Sequence, residues 1–217
     1  MSAPHPAGRP TRLTLEGRYA RLEPLGPQHA ADLFAASNVP DVAERFRYLF
    51  DHPPAGRADL EGWITRHEAI DDPMFFAVVD LATSRCLGRQ ALMRIVPEHG
   101  VIEIGSIYWG PEMSRTRLAT EALYLFARHM FEDLGYRRFE WKCNSRNEPS
   151  KRAALRFGFS FEGVFRQHMI QKGENRDTAW FSMLDSEWPA RKAGFERWLR
   201  PENFDGSGVQ REKLRVG

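Results

Sequence analysis

The stretch that most constrains this chain runs from Val101 to Leu134, where the apolar periodicity changes abruptly. Residues 101–109 (VIEIGSIYW) form a β-branched and aromatic run, which predicts a strand. Gly110-Pro111 breaks the run and a short polar loop follows. From Leu118 onward, Ala119, Leu123, Phe126, Met130 and Leu134 recur at the spacing of one helical face. Ser114 or Thr116 is placed to cap this helix, Glu121 falls in its first turn, and Gly135 ends it. A strand, tight loop and helix in this order aim unpaired backbone N–H groups and a positive dipole end at the loop. Such a loop suits a phosphate or another anion. Arg115 and Arg117 stand in the same loop; taken alone, they read equally well as solvated surface arginines.

The rest of the chain supplies a sheet for this unit to join. Leu13–Leu25 reads as an opening strand or hairpin, and Pro27–Ser37 as a helix with proline at its first position. A helical region over 41–70 is broken by His52-Pro53-Pro54 and Gly56. Met74–Asp80 and Leu87–Val96 form a hairpin leading into the 101–109 strand. Residues 137–143 predict a strand parallel to 101–109, because a helix joins the two. A last hairpin is expected from 164–171 and 177–184 around 172–176, then an amphipathic helix over 189–199. The fold class is α/β (α+β): a mixed, mostly antiparallel twisted sheet with helices on both faces. Residues 1–10, with three prolines, are expected to be disordered, 11–200 to form a single domain, and 201–217 to be a flexible tail.

Charge and composition exclude several classes. Lys+Arg number 31 against 29 Asp+Glu, a net charge of +2, which does not argue for nucleic acid or membrane as a partner. No run approaches the ~18 apolar residues of a membrane span and the start lacks an apolar signal core, so a cytoplasmic location is expected. Two cysteines, Cys86 and Cys143, fit reduced thiols. No metal site is expected.

Further motifs follow the helix: LATEA (118–122), Asn147 and Ser150 as N-x-x-S, Gly158-Phe159, Glu162-Gly163 and Glu187-Trp188. With these in this order, the chain resembles the GNAT superfamily of N-acetyltransferases, and most closely the branch of ribosomal-protein N-terminal (alanine/serine) acetyltransferases. The resemblance implies the GNAT fold and acetyl-CoA as cosubstrate. It also implies an amine acceptor, either a protein N-terminus or a small amine, and a monomer or homodimer. Ser114, Arg115, Thr116, Arg117, Leu118, Ala119 and Thr120 align with the family's pyrophosphate loop. That loop is usually Q/R-x-x-G-x-G/A, so Ser114 replaces the leading residue and Arg117 the central glycine. Glycine lets backbone approach phosphate closely; Arg117 either compensates by charge or weakens the site.

The resemblance also assigns roles in the chemistry. Acetyl transfer by direct attack in a ternary complex needs a neutral amine. Glu103 is the first candidate base, with His168 second. Backbone N–H groups around Ile107, Tyr108 and Trp109 are expected to meet the oxyanion. Ser150 stands nearest the thiolate leaving group by motif, because the position of the family's tyrosine acid is Ala154; its other reading is a helix N-cap. Asn147 is expected to hold the pantetheine amides, and Arg152 a cofactor phosphate. The aromatics Phe46, Tyr48, Phe50 and Trp63 either shape an acceptor pocket or are plain core. The alternative to an enzyme is a catalytically degenerate acyl-CoA-binding or sensor module.

Overall fold

The computed structural model describes residues 5–216. Eight strands form one sheet: β1 Leu15–Glu16, β2 Ala20–Pro24, β3 Met74–Asp80, β4 Arg85–Val96, β5 Val101–Trp109, β6 Arg138–Asn144, β7 Ser160–Gln171 and β8 Glu174–Leu184. Their order is β1-β2-β3-β4-β5-β6-β8-β7. The β5–β6 pair is parallel, as the helical crossover requires, and the β1–β2, β2–β3, β3–β4, β6–β8 and β7–β8 pairs are antiparallel. The helices are α1 Ala30–Ser37, α2 Val42–Phe46, α3 Arg57–His67, α4 Arg117–Arg128, α5 Glu148–Arg156 and α6 Trp188–Trp198. The expected single domain divides into two compact units, one of residues 11–93 and 105–125, the other of 5–10, 94–104 and 126–216.

In the first unit, α1, α2 and α3 bury Leu33, Phe46, Leu60 and Ile64 against Phe75, Ala77 and Val79 of β3 and Ala91 of β4. Burial of each large side chain contributes about 1.5–3 kcal/mol. Phe76 and Val78, on the other face of β3, are buried too, which is why MFFAVVD shows no polar alternation. The break at His52-Pro53-Pro54 separates α2 from α3, as expected.

In the second unit, alternate residues of β6 divide by chemistry. Phe139, Trp141 and Cys143 are buried. Phe139 and Trp141 meet Phe159 at ring distances of 5.6 and 5.8 Å, and Trp141 meets Phe157 at 6.1 Å. Glu140 and Lys142 alternate with them, as a strand's period of two requires. The last hairpin is longer than its sequence suggests. Gln171 pairs with Glu174 across a turn in which Lys172 and Gly173 both have positive φ, 52° and 79°. A type I′ hairpin needs that conformation at both central residues, and lysine gives no sign of it in the sequence. The helix expected to run to Leu134 is α-helical only to Arg128, then continues as one π-helical turn over His129–Asp133.

Both ends of the chain make contacts in the structure. Residues 1–4 of the stretch expected to be disordered lie outside the described residues. Ala7 N–H donates to Pro97 O at 2.9 Å and Gly8 N–H to Leu134 O at 2.7 Å. The expected flexible tail is laid against α6. The Trp198 indole donates to Gln210 Oε1 at 2.9 Å and to Glu212 O at 3.0 Å, and Phe204 meets Trp198 edge-on at 5.0 Å. A Cβ at Gly194 would stand 2.3 Å from Arg215 O, so the chain passes where only glycine leaves room. Three apolar anchors, Trp198, Phe204 and Val216, fix a segment whose average composition is polar.

Candidate functional site

In the first unit the loop before α4 is folded by its own hydroxyls. Ser114 Oγ donates to the carbonyls of Trp109 and Gly110, both at 3.0 Å, and Thr116 Oγ1 donates to Met113 O at 2.6 Å. Neither acts as the helix cap the sequence suggested, because each hydroxyl is turned to a carbonyl behind it. The backbone N–H groups of Leu118 and Ala119 consequently have no acceptor among the described residues. Arg115 takes up the left-handed conformation, φ 66°, and its exposed side chain has no partner among the described residues. Arg117 is differently held: its guanidinium lies over the Tyr19 ring, 4.4 Å from the centroid. Thr120 Oγ1 donates to Thr116 O at 3.2 Å. An uncapped first turn, a positive dipole end and one unpaired cation are the features that suit an anion.

β5 pairs with β6 from Val101–Arg138 to Ile104–Trp141, and the ladder ends there although β5 continues to Trp109. On that continuation Ile107 and Trp109 are half-buried, and Tyr108 is buried with its hydroxyl donating to Ala36 O at 2.8 Å. The Trp109 indole donates to Gln90 Oε1 at 3.2 Å.

The same unit contains a recess of about 170 Å³ lined by Phe46, Asp51, His52, Trp63 and Arg89 among others. Arg89 is 2% exposed. It is ion-paired with Asp51, donates to Ser106 O at 3.0 Å and stacks on the Trp63 ring at 4.3 Å. Burial pulls its pKa down, and the Asp51 carboxylate opposes that. Phe46 and Trp63 thus serve as both core and recess wall, whereas Phe50 is half exposed and lies outside this recess's lining. Phe46 and Trp63, among the aromatics offered as pocket walls, line this recess, whereas Arg89 was not singled out in the sequence.

The second unit gathers the ionisable candidates. Glu103 is not solvent-facing; it is 4% exposed. Its Oε2 lies 2.9 Å from Lys142 Nζ and 3.2 Å from Arg94 Nε. Lys142 Nζ is also 2.6 Å from Glu140 Oε2 and 3.9 Å from the centroid of Trp180. Burial raises the Glu103 pKa, with Lys142 and Arg94 pulling the other way. His168 Nδ1 is 2.9 Å from Thr178 Oγ1. Its pKa is lowered, first by desolvation and then by Arg94, Arg176 and Lys142. The two candidate bases, on strands far apart in sequence, therefore share Arg94 and Lys142 as neighbours. In sequence, Glu140 and Lys142 look like the wet face of an edge strand, so neither stood out.

At the start of α5, Asn147 is the N-cap: its Oδ1 accepts from Ser150 N–H at 3.1 Å. The cap, one of the two readings offered for Ser150, is therefore supplied by Asn147. Ser150 Oγ accepts from the Trp141 indole at 2.9 Å, and its own proton points to Cys143 Sγ. The neighbouring Cys143 thiol is pushed up by burial, an effect its hydrogen bond to Ser150 offsets in part. Arg152 is exposed. Among the described residues no group of three or more His, Cys, Asp or Glu is arranged to hold a metal, and no helix is long and apolar enough to cross a membrane.

A mixed, mostly antiparallel sheet in which the β5–β6 ladder stops short, with β5 followed in the chain by a helix whose first turn is open, fits acetyltransferases of the GNAT type. The chain belongs to that family: the model of the acetyltransferase (GNAT) domain matches residues 20–160. It is similar to the crystal structure of a GCN5-related N-acetyltransferase from Brucella melitensis, with 60% identity and a TM-score of 0.94 over 96% of this chain and 95% of that one. It is also similar to a GNAT-family structure from Chromobacterium violaceum ATCC 12472, with 38% identity and a TM-score of 0.80 over 87% and 94%. The uncharacterized N-acetyltransferase YoaA of Bacillus subtilis (strain 168) is 32% identical over 47% of this chain, a match spanning 57% of that relative's length. The fold alone is shared with the microcin C7 self immunity acetyltransferase MccE, solved with acetyl-CoA and AMP, at 20% identity and a TM-score of 0.67 over 77% and 93%.

Proposed function

We propose that this protein transfers the acetyl group of acetyl-CoA to a primary amine, on a protein N-terminus or a small molecule, by direct attack in a ternary complex. The observation that carries the reading is the open first turn of α4, where the Leu118 and Ala119 amides and Arg115 stand ready for the CoA pyrophosphate. The loop 114–120 holds the phosphates, and Asn147, whose Oδ1 is spent on the cap, offers its Nδ2 to the pantetheine amides. Arg152 reaches a cofactor phosphate. The N–H groups at Ile107, Tyr108 and Trp109 stabilise the oxyanion.

For the proton transfers the chain offers two bases. Glu103, its pKa raised by burial, accepts a proton more readily than an ordinary carboxylate. His168, its pKa lowered, is the neutral, accepting form near pH 7. Ser150, whose hydroxyl proton is shared at rest with Cys143 Sγ, donates it toward the departing thiolate. The recess beside Arg89 receives the acceptor. The two cysteines, both unpaired, suit a reducing cytoplasm.

The test is thiol release from acetyl-CoA across a panel of amines and N-terminal peptides, with the acetylated product detected by mass. Release with at least one acceptor is expected. CoA binding with no release in any mixture would overturn the catalytic reading and leave an acyl-CoA-binding module.

A separate measurement tests the loop. Arg115→Ala is expected to weaken CoA about 10-fold at low salt, the lower end for one charged hydrogen bond. Exposure lets salt screen it, so the difference should shrink as ionic strength rises. Arg117→Ala is expected to do less, because that guanidinium is held over Tyr19. Equal CoA affinity for wild type and Arg115→Ala at low salt would remove Arg115 from the site.

A further inference from the structure

The net charge of +2 is not spread evenly. A cleft of about 260 Å³ between the end of α6 and the last segment of the chain is lined by Arg197, Arg200, Arg211, Lys213 and Arg215, against Glu202 and Glu212 as its acids. Five cations face two carboxylates, an excess larger than that of the whole chain. Arg200 and Lys213 are exposed and make no ion pair among the described residues, and neither do the two glutamates. Arg211 is felt weakly by Asp205. Arg197 donates to Arg215 O at 3.3 Å. Unpaired like charges crowded on one wall repel one another, which costs stability unless an anion sits among them.

The cations are held in place by structure that carries no charge. Asn203 Nδ2 donates to Trp198 O at 2.9 Å, and its Oδ1 accepts from Glu212 N–H at 2.9 Å. Arg211 N–H donates to Asn203 O at 2.7 Å. With the Trp198 indole fastened to Gln210 and Glu212, the backbone bearing Arg211 and Lys213 is tied to the helix bearing Arg197. Such fixing lowers the entropy that a ligand must otherwise remove on binding. The charge balance of the whole chain averages this concentration away.

We propose that this cleft is a second anion site, separate from the one at α4, and that it takes a phosphate-bearing ligand. Planar guanidinium groups match phosphate oxygens bidentately, and the volume accommodates a phosphate with an attached sugar. The phosphate comes from a free nucleotide or from the backbone of single-stranded RNA, two sources with the same chemistry.

The experiment uses the full chain saturated with unlabelled CoA, so that the α4 site is filled. Three probes are titrated at low and at high salt: inorganic pyrophosphate, AMP and a fluorescein-labelled oligouridylate. Binding of at least one probe is expected. Arg200→Gln/Arg211→Gln/Lys213→Gln should weaken it about 30-fold or more, about threefold for each exposed contact. Glu202→Gln, which removes a repelling charge, should tighten it. Oligouridylate bound much more tightly than AMP, with a steep salt dependence, assigns the site to RNA. Comparable binding of AMP and oligouridylate assigns it to nucleotides. Absence of binding by all three probes, equal binding by the triple variant, or displacement by added CoA would each overturn the proposal. Failure here leaves acetyl transfer untouched, since none of these residues belongs to the α4 loop or the Glu103 cluster.

Discussion

Lys142→Met is expected to destabilise the protein by about 3–5 kcal/mol, the range for removing one partner of a buried ion pair. Glu103 and Glu140 are register partners on adjacent strands, and both are almost fully buried. Lys142 Nζ stands between them at 2.9 and 2.6 Å, and its side chain is 5% exposed. Arg138 reaches Glu140 at 2.6 Å but is committed to both oxygens of Glu162. Arg94 remains for Glu103, though it is 41% exposed and correspondingly screened. Methionine fills the lysine's volume and restores no charge, so two carboxylates are left facing each other.

The pH dependence follows from the Glu103 shift. Its folded pKa is raised above the ordinary 4.5, so the native state binds its proton more readily than the unfolded chain. That contribution to stability is fully present below about pH 4.5 and is lost as pH rises through the folded value. Removing Lys142 takes away a charge that lowers the folded value, which moves it further up. The deficit of the variant relative to wild type should therefore be smallest in acid and grow toward about pH 7. Urea denaturation of both proteins at the two pH values measures it. Glu103→Gln/Lys142→Met should recover part of the loss. A deficit below about 1 kcal/mol, or one that does not change with pH, would mean that water reaches the cluster and screens it.

The legible parts of this fold were those governed by local chemistry. Changes of period marked β5 and α4, paired prolines separated α2 from α3, and a helical crossover fixed the parallel pair. What stayed hidden depends on contacts between residues remote in sequence. Glu140 and Lys142 alternate with aromatics and read as a wet face, until Trp180 and Glu103 from other strands cover them. Ser150 and Asn147 both fit a helix start, and geometry alone decided which one caps. Trp198, Phe204 and Val216 are too sparse to reveal that the last segment is anchored. The candidate site residues were legible only as positions within motifs. Their partners, Arg94, Lys142, Trp141 and Tyr19, could not be read without coordinates.

Glu121, which the sequence placed only in the first turn of the helix, gives the second large effect. Its carboxylate is 4% exposed and binds the β1–β2 turn. Oε1 accepts from Arg18 N–H at 2.9 Å, while Oε2 accepts from Tyr19 N–H at 2.6 Å and Ala20 N–H at 2.7 Å. Gly17 makes the approach possible, since a Cβ there would lie 2.5 Å from Glu121 Cδ. Glu121→Ala leaves three backbone donors without their acceptor. At about 1–3 kcal/mol for each buried unsatisfied group, a loss of at least about 3 kcal/mol is expected. Glu121→Gln should cost less, because its one carbonyl oxygen can still serve two of the donors, with the amide nitrogen facing the third. The turn also carries the ring on which Arg117 rests. CoA affinity should therefore fall in the alanine variant at temperatures where the protein remains folded. Denaturation, hydrogen exchange at residues 18–20 and CoA titration on the same protein check the chain of cause. If exchange at those amides is unchanged and stability stays within about 1 kcal/mol of wild type, water has replaced the carboxylate and the turn does not depend on Glu121.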